Sequence, residues 1–396
     1  MHLIQSNKIK LLLCSLITLN LYGAYELDEE ILSDPRKKTF DLNQKKANED
    51  SSTLKKDWIN PITYQYSKNF GEEYKTEKSV VTINQPIFQS GGIYQAIRYA
   101  NSTHRYSTLE IEQQKKLLIK DAVKILFQIK KTELNIQKTR LTVKNADIDV
   151  IRKKEQVLNG FLDSSFLDNA LLTLNTAKNS LVDLEYQRKE LINNFHNISS
   201  KKYTEFSLPK LELFNEKEFL ENNIEIKKAK ADIQRKGNFS QMTVSRYLPS
   251  VNAFYNYTKN HFTDGQAGMD HEADQKFGLS INVPFDSRTF NEIESKKIDY
   301  LKSKIDLKNK VTDEKTFFKT KLDKIEMLKK RVEITRDDLK VYDSILSIIK
   351  EEKEAELKTQ SDVDTLENSQ RIKSIDINIY ELDEQMELLE IYAKLH

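Results

Sequence analysis

The chain has 396 residues, of which 31% are charged, yet only 9 Gly and 6 Pro. That balance favours long helices over a β-sandwich or a nucleotide-binding α/β fold. Basic and acidic residues nearly cancel, 63 against 61, so no domain-wide basic excess points to a nucleic-acid partner.

At the N-terminus Lys8 and Lys10 precede an apolar run from Leu11 to Leu21, closed by Tyr22-Gly23-Ala24. Charged, apolar and small segments in that order predict an export signal over residues 1–24. The run is about half the roughly 20 residues that span a bilayer as a helix. The single cysteine, Cys14, lies inside it, behind a Leu13 too bulky for a lipid-attachment site. A mature chain would then hold no cysteine, which excludes disulfides, thiolate catalysis and cysteine metal sites. No later segment is long and apolar enough for a spanning helix, so any membrane passage has to be made by β-strands.

A half-length helix is expected over roughly residues 26–58, with Asp34-Pro35 inside it. A hairpin follows over about 60–90. Ile62, Tyr64 and Tyr66 alternate with Thr63, Gln65 and Ser67, and the return strand sets Val81 and Ile83 against Thr82 and Asn84. Period-two alternation gives one apolar and one polar face. Ile93 to Asn159 then runs without Gly or Pro, and Ala122, Ile129, Ile136, Val143, Val150 and Val157 stand seven apart. This is a helix in coiled-coil register, about 100 Å long at roughly 1.5 Å per residue.

The chain turns near Asn159-Gly160, and a helix restarts around Ser165 and stops near Asn197. An irregular segment with Pro209 fills 198–214. A further helical stretch runs from Asn215 to Tyr247, with a weak point at Gly237-Asn238. The second hairpin is expected over about 249–287. Val251, Ala253, Tyr255 and Tyr257 line one face of its first strand, and Phe277, Leu279, Ile281, Val283 and Phe285 alternate along the second. Phe290 to Glu356 repeats the uninterrupted helix, with Val311, Phe318, Ile325, Val332, Leu339 and Leu346 in heptads. A half helix over 361–394 completes the pattern.

Two segments recur. Tyr64-Gln65-Tyr66-Ser67-Lys68-Asn69 returns as Tyr255-Asn256-Tyr257-Thr258-Lys259-Asn260, and Thr82-Ile83-Asn84-Gln85-Pro86 as Ser280-Ile281-Asn282-Val283-Pro284. Their offsets of 191 and 198 residues predict a duplication, with units over 25–214 and 215–396 and helical tips at about 159–165 and 356–361. Four strands cannot close a membrane barrel, which takes at least about eight. Such a unit has to assemble with copies of itself, and three copies supply twelve strands.

In this order and spacing the chain resembles the TolC or outer-membrane efflux family. Pro86-Ile87-Phe88-Gln89-Ser90-Gly91-Gly92 is similar to the family's strand-to-helix turn, and Pro284 opens its second copy. Leu248-Pro249-Ser250-Val251 resembles the entrance to its third strand. Asn159-Gly160-Phe161-Leu162-Asp163-Ser164 and Thr359-Gln360-Ser361-Asp362-Val363 resemble its two tips. The resemblance implies a mainly α fold with a small β-barrel contribution: a homotrimer with a 12-stranded barrel in the outer membrane and a helical tunnel in the periplasm. It implies docking on a periplasmic adaptor that belongs to an inner-membrane pump or a type I secretion transporter. The alternative is a structural coiled coil or adaptor of the cell envelope without transport.

The second copy departs from the family at Phe285-Asp286-Ser287-Arg288-Thr289, which has no glycine, and at Glu356, where the first tip has Gly160. Asp362 matches a family position at the narrow periplasmic entrance, where three copies would form a carboxylate ring that attracts cations. Asp364 is the second candidate, one position short of the family's second ring. For both, the competing reading is an acid that complements a helix N-terminus. Leu158, Gly160, Phe161, Leu162 and Lys358 are the candidate adaptor-contact tip residues. For Lys358 the further readings are a latch that holds the tip closed and a solvated charge. Tyr64, Tyr66, Tyr255 and Tyr257 are candidates for an aromatic girdle. No catalytic residue, cofactor or metal is expected: the six histidines are scattered, His271-Glu272 lacks a second histidine, and no phosphate loop appears.

Overall fold

The structure, a computed structural model, describes residues 29–70, 75–263 and 273–396. The expected export signal lies outside these residues. Among these residues seven α-helices and four strands follow in chain order: α1 (Asp34–Lys56), β1 (Thr63–Phe70), β2 (Lys75–Phe88), α2 (Gly92–Leu158), α3 (Ser164–His196), α4 (Glu216–Asn222), α5 (Ile224–Arg246), β3 (Ser250–Thr263), β4 (Asp274–Asn282), α6 (Thr289–Glu354) and α7 (Gln360–Tyr392).

The long helices have 67 and 66 residues, each about 100 Å. None of the twelve predicted heptad residues is exposed, and Ala122, Ile129, Phe318 and Ile325 are fully buried. In the half nearer the sheet, the helices lie side by side as α1, α2, α5 and α6. In the half nearer the tips, the order is α3, α2, α7 and α6. One continuous helix therefore packs against two half helices on each side. No described helix is long and apolar enough to cross a membrane.

Two boundaries differ from the sequence expectation. Helix α1 begins at Asp34, later than residue 26, because Pro35 occupies its first turn, where the missing N–H costs nothing. The stretch from 215 to 247 breaks at Asn222-Asn223, while α5 runs unbroken through Gly237-Asn238. Buried Asn223 caps α5 by accepting from Ile226 N at 3.1 Å, and its neighbours bond residues 394–396: Ile224 N donates to Lys394 O and His396 N to Asn222 O. Tertiary backbone pairing sets the break. At Gly237 an added Cβ would lie 3.1 Å from the Tyr300 ring, so the glycine admits a close approach of α6.

The main apolar core sits at mid-length. Phe127 and Phe318 from the long helices meet Phe195 from α3, Phe219 from α4 and Leu389 from α7. Phe219 and Phe318 stack at 4.9 Å. Each such buried ring contributes about 1.5–3 kcal/mol. Beside it lies buried Glu314, which accepts from Lys394 Nζ at 2.7 and 2.9 Å and from Asn223 Nδ2 at 2.9 Å.

The strands form one antiparallel sheet in the order β1-β2-β3-β4. Residues opposite one another in such a ladder share a face. The registers place Tyr64, Val81, Tyr257 and Gln275 in one row, and Ile83, Tyr255 and Phe277 in the next. The rows nearer the helices add Ala253 with Leu279, and Val251 with Ile281. The reverse face carries Thr63, Thr82, Asn256 and Lys276 in one row, and Asn252 with Ser280 in another. Val80 and Phe254 are apolar residues on this face; Phe254 lies over Gly278, where a Cβ would come within 2.9 Å of its ring. The apolar face is uncovered: Tyr64, Tyr66, Phe277, Leu279 and Ile281 are all at least half exposed.

Candidate functional site

The strand-to-helix turn is built by residue types suited to it. Pro86 lies at a register shift in β2, where a ladder donor can be spared. Gly91 has φ +84°, a conformation that an L side chain rarely adopts, and caps α2. Gly92 faces α5 so closely that a Cβ would lie 3.1 Å from Ser245 Cβ. Ser90, at φ 45°, donates its hydroxyl to Pro249 O at 2.6 Å and ties this turn to the start of β3. In the second copy Pro284 lies in the coil after β4, and Asp286 stands in for the missing glycines. Its carboxylate accepts from Arg288 N at 2.8 Å and from the Arg288 guanidinium, which hold it down to about 2.

Both tips carry one backbone motif. After α2, Gly160 N donates to Val157 O and Phe161 N to Gln156 O; after α6, Glu356 N donates to Lys353 O and Leu357 N to Glu352 O. This paired closure requires a left-handed residue, supplied by Gly160 at φ +74° and by Glu356 at φ +59°. The glutamate keeps the geometry at a strain cost of about 1–2 kcal/mol. Leu158, Phe161 and Leu357 project from the tips at 74–78% exposure, while Leu162 is half-buried.

The structure gives Asp362 work within its own chain. Thr359 caps α7 and Asp362 returns the bond: its Oδ2 accepts from Thr359 N at 3.0 Å and from Thr359 Oγ1 at 2.8 Å. Its Oδ1 accepts from Arg152 Nη2 on α2 at 2.9 Å. Those Thr359 bonds, with Arg152 and Lys358 nearby, hold its carboxyl below the usual range. Asp364 accepts from Gln360 Nε2 at 2.6 Å. Lys358 is exposed and makes no ion pair among the described residues.

Arg152–Asp362 is the last rung of a ladder that the sequence analysis missed. Going from mid-length to the tips, α2 and α7 are joined by Lys124–Glu390 at 2.8 Å, Lys131–Asp383 at 2.6 Å and Lys138–Asp376 at 2.6 Å. Asn145 follows, donating to Ser369 Oγ at 3.3 Å, and then Arg152–Asp362. Each rung lies seven residues further down α2 and seven back along α7. Lysines and acids in separate heptads were the signal available in the sequence. Burial pushes the Glu390 carboxyl up, but Lys124 and Lys120 together hold it below the usual range. A charged row thus runs between α2 and α7 from mid-length to the tips, while Ile136 and Ala146 on α2 and Val363 and Ile379 on α7 stay buried.

Among the described residues no cluster of three or more histidines, cysteines and carboxylates is placed to hold a metal. The geometry offers a two-faced sheet, a helical wall and a charged seam ending at the tips.

Residues 42–197 match the family model described as outer membrane efflux protein. A comparison with curated proteins found no match. Among solved structures, the outer membrane protein VceC from Vibrio cholerae superposes with a TM-score of 0.71 at 12% identity, over 93% of this chain and 95% of that one. The CmeC outer membrane channel of Campylobacter jejuni gives 0.69 at 12%, over 93% and 84%. A membrane protein from Pseudomonas aeruginosa gives 0.72 at 11%, over 93% and 92%. At these identities the likeness establishes the fold.

Proposed function

We propose that this chain, which through residues 42–197 is a member of the outer membrane efflux protein family, is one subunit of a trimeric exit duct. Its sheet supplies four strands of a 12-stranded outer-membrane barrel, and its helices supply a third of a periplasmic tube. The observation that carries this reading is the sheet: one face is apolar and uncovered, the other is polar, and β1 and β4 each leave one edge unpaired. An apolar exterior, a polar interior and no free edge are what a lipid-embedded barrel requires.

The helical layer supports the same closure. On the edge helix α6, Met327, Ile334, Val341 and Ile348 stand seven apart and are exposed. A heptad stripe without a partner in its own chain suits a neighbouring copy. At the opposite edge α3 exposes Leu172, Val182 and Tyr186.

In this reading the tips, with Leu158, Gly160, Phe161 and Leu162, dock on a periplasmic adaptor, which in turn joins an inner-membrane pump or a type I secretion transporter. Asp362 and Asp364 approach their symmetry mates at the narrow end, where ionised Asp362 favours cations. The duct performs no chemistry. A coiled coil of the envelope without transport is the second reading, but it gives no purpose to a sheet with an uncovered apolar face.

The deciding experiment is expression, extraction of outer membranes and recording in planar bilayers. A detergent-extracted trimer that conducts ions is expected. A soluble monomer without conductance overturns the proposal. In the same recordings Asp362→Asn is expected to weaken cation selectivity, and unchanged selectivity removes Asp362 from the pore.

A further inference from the structure

A groove of about 760 Å³ lies between α2, α5 and α6, on the side of the helical layer nearest the sheet. Its lining includes Arg98 and Arg105 from α2 and Lys297 from α6, with the amides of Asn101, Gln234 and Gln241 between them, and no carboxylate. Gly237 on α5 and the Tyr300 ring packed against it form part of its wall. Asn238 steadies the floor by donating to Arg98 O and Ser102 Oγ, both at 3.2 Å.

Among the described residues Arg98 and Arg105 form no ion pair. Arg98 lies 5.6 Å from the Tyr94 ring, and Arg105 reaches only Gln234 Oε1, at 3.5 Å. Lys297 is shared with Glu294 at 3.3 Å. Arg98 and Arg105, seven residues apart, share one helix face with their Cα positions about 10 Å apart along the axis, a gap that two long arginine side chains can close by leaning toward each other. Their planar forks favour oxyanions with two or more oxygens.

We infer that this groove is a binding site for a phosphate-bearing anion, held by the Arg98 and Arg105 guanidiniums with neutral amides completing its shell. The site goes beyond the duct reading and does not rest on it. Arg98 lies six residues below Gly92, the start of α2, hence about 9 Å beneath the sheet. A phosphate there could come from a phospholipid headgroup or from free phosphate, and both have the same chemistry.

The test uses the purified full chain in detergent, titrated by calorimetry with inorganic phosphate and, separately, with dihexanoyl-phosphatidylglycerol. Arg98→Gln/Arg105→Gln is compared with wild type and with Lys178→Gln/Lys189→Gln, an equal charge loss on α3. Saturable binding by wild type, weakened on the order of tenfold or more only by the arginine variant, is expected. Binding of phosphate identifies a free ion as sufficient, and binding of the lipid alone identifies the headgroup as the source. No saturable binding of either probe overturns the inference. So does equal weakening by the α3 variant, or an arginine variant that binds like wild type. Trimer formation and conductance, recorded on the same samples, keep failure of this site separate from failure of the duct.

Discussion

Reversing two rungs of the α2–α7 ladder should loosen the tip-proximal half of α7 while leaving the rest of the fold in place. The perturbation is Lys131→Glu with Lys138→Glu. In the native seam Lys131 faces Asp383 and Lys138 faces Asp376, with the lysines about one-third exposed and the acids about one-fifth. Pairs this accessible are worth about 0.2–1 kcal/mol each. Replacing attraction by repulsion costs a similar amount again, so two rungs lose about 1–4 kcal/mol together. A 2 kcal/mol loss raises the population of a locally open α7 by roughly 30-fold. Hydrogen exchange reads this directly: amides from residue 360 to 383 should lose protection, while those of α3, paired with the other flank of α2, should not. Raising salt to 1 M shortens the screening length to about 3 Å and should produce a milder form of the same change in the native protein. The complementary swap, adding Asp376→Lys and Asp383→Lys, should restore protection. Unchanged exchange in α7, or equal loss in α3, would refute the view that charge holds this seam.

Three further outcomes are expected. Glu356→Gly relieves the left-handed strain at the second tip but adds the entropy cost of glycine, for a net stabilisation of about 0.5–1 kcal/mol; Gly160→Glu should destabilise by a similar amount, both read by denaturant midpoint. Lys394→Met strands the buried Glu314 carboxylate and should destabilise by about 3–5 kcal/mol, whereas Lys394→Met with Glu314→Leu should recover most of that loss. The charged seams should weaken in acid. Burial raises the Glu387 and Glu390 carboxyls, but their lysine partners outweigh it and leave both below the ordinary value. Their contribution is therefore fully present above the unfolded pKa of about 4.3 and is lost as pH falls through the lower folded pKa. Lys124 and Lys373 are raised by Glu390 and Asp338, so their share is present below about pH 10.4 and is lost above it. A stability profile across pH that stays flat below pH 4 would contradict the acidic half.

Much of the architecture is legible in the residues because its periods are long. Six apolar residues seven apart leave one helical reading, and the alternation around Tyr255 and Leu279 leaves one strand reading. What escapes depends on contacts between distant segments. The break at Asn223 comes from backbone pairing with residues 394–396, while Gly237, a weak helix residue in isolation, is kept helical by its fit to Tyr300. Asp362 carries a local signal as well, since Thr359-x-x-Asp362 is a capping pattern before an apolar helix. The competing reading, an acid at a helix N-terminus, matches this cap, whereas the Arg152 pair depends on how α2 and α7 pack. The ladder is less legible: Lys124, Lys131 and Lys138 keep a heptad of their own beside the apolar one, and their acidic partners lie on a distant helix, α7.

The strand registers also have a consequence for shape. Thr63, at the base of β1, aligns across the sheet with Thr82, Asn256 and finally Lys276, the third residue of β4. Among the described residues only the rows through Thr63, Tyr64 and Gln65 cross all four strands. The sheet is therefore a slanted parallelogram, with one free edge high and the other low. Such a tile meets its copy edge to edge only if its strands lean away from the axis of the ring. In the proposed trimer the lean, repeated three times, accumulates as the stagger that a closed barrel needs. The strand tilt that this proposal requires is thus already written in the registers of a single chain, before any neighbour arrives.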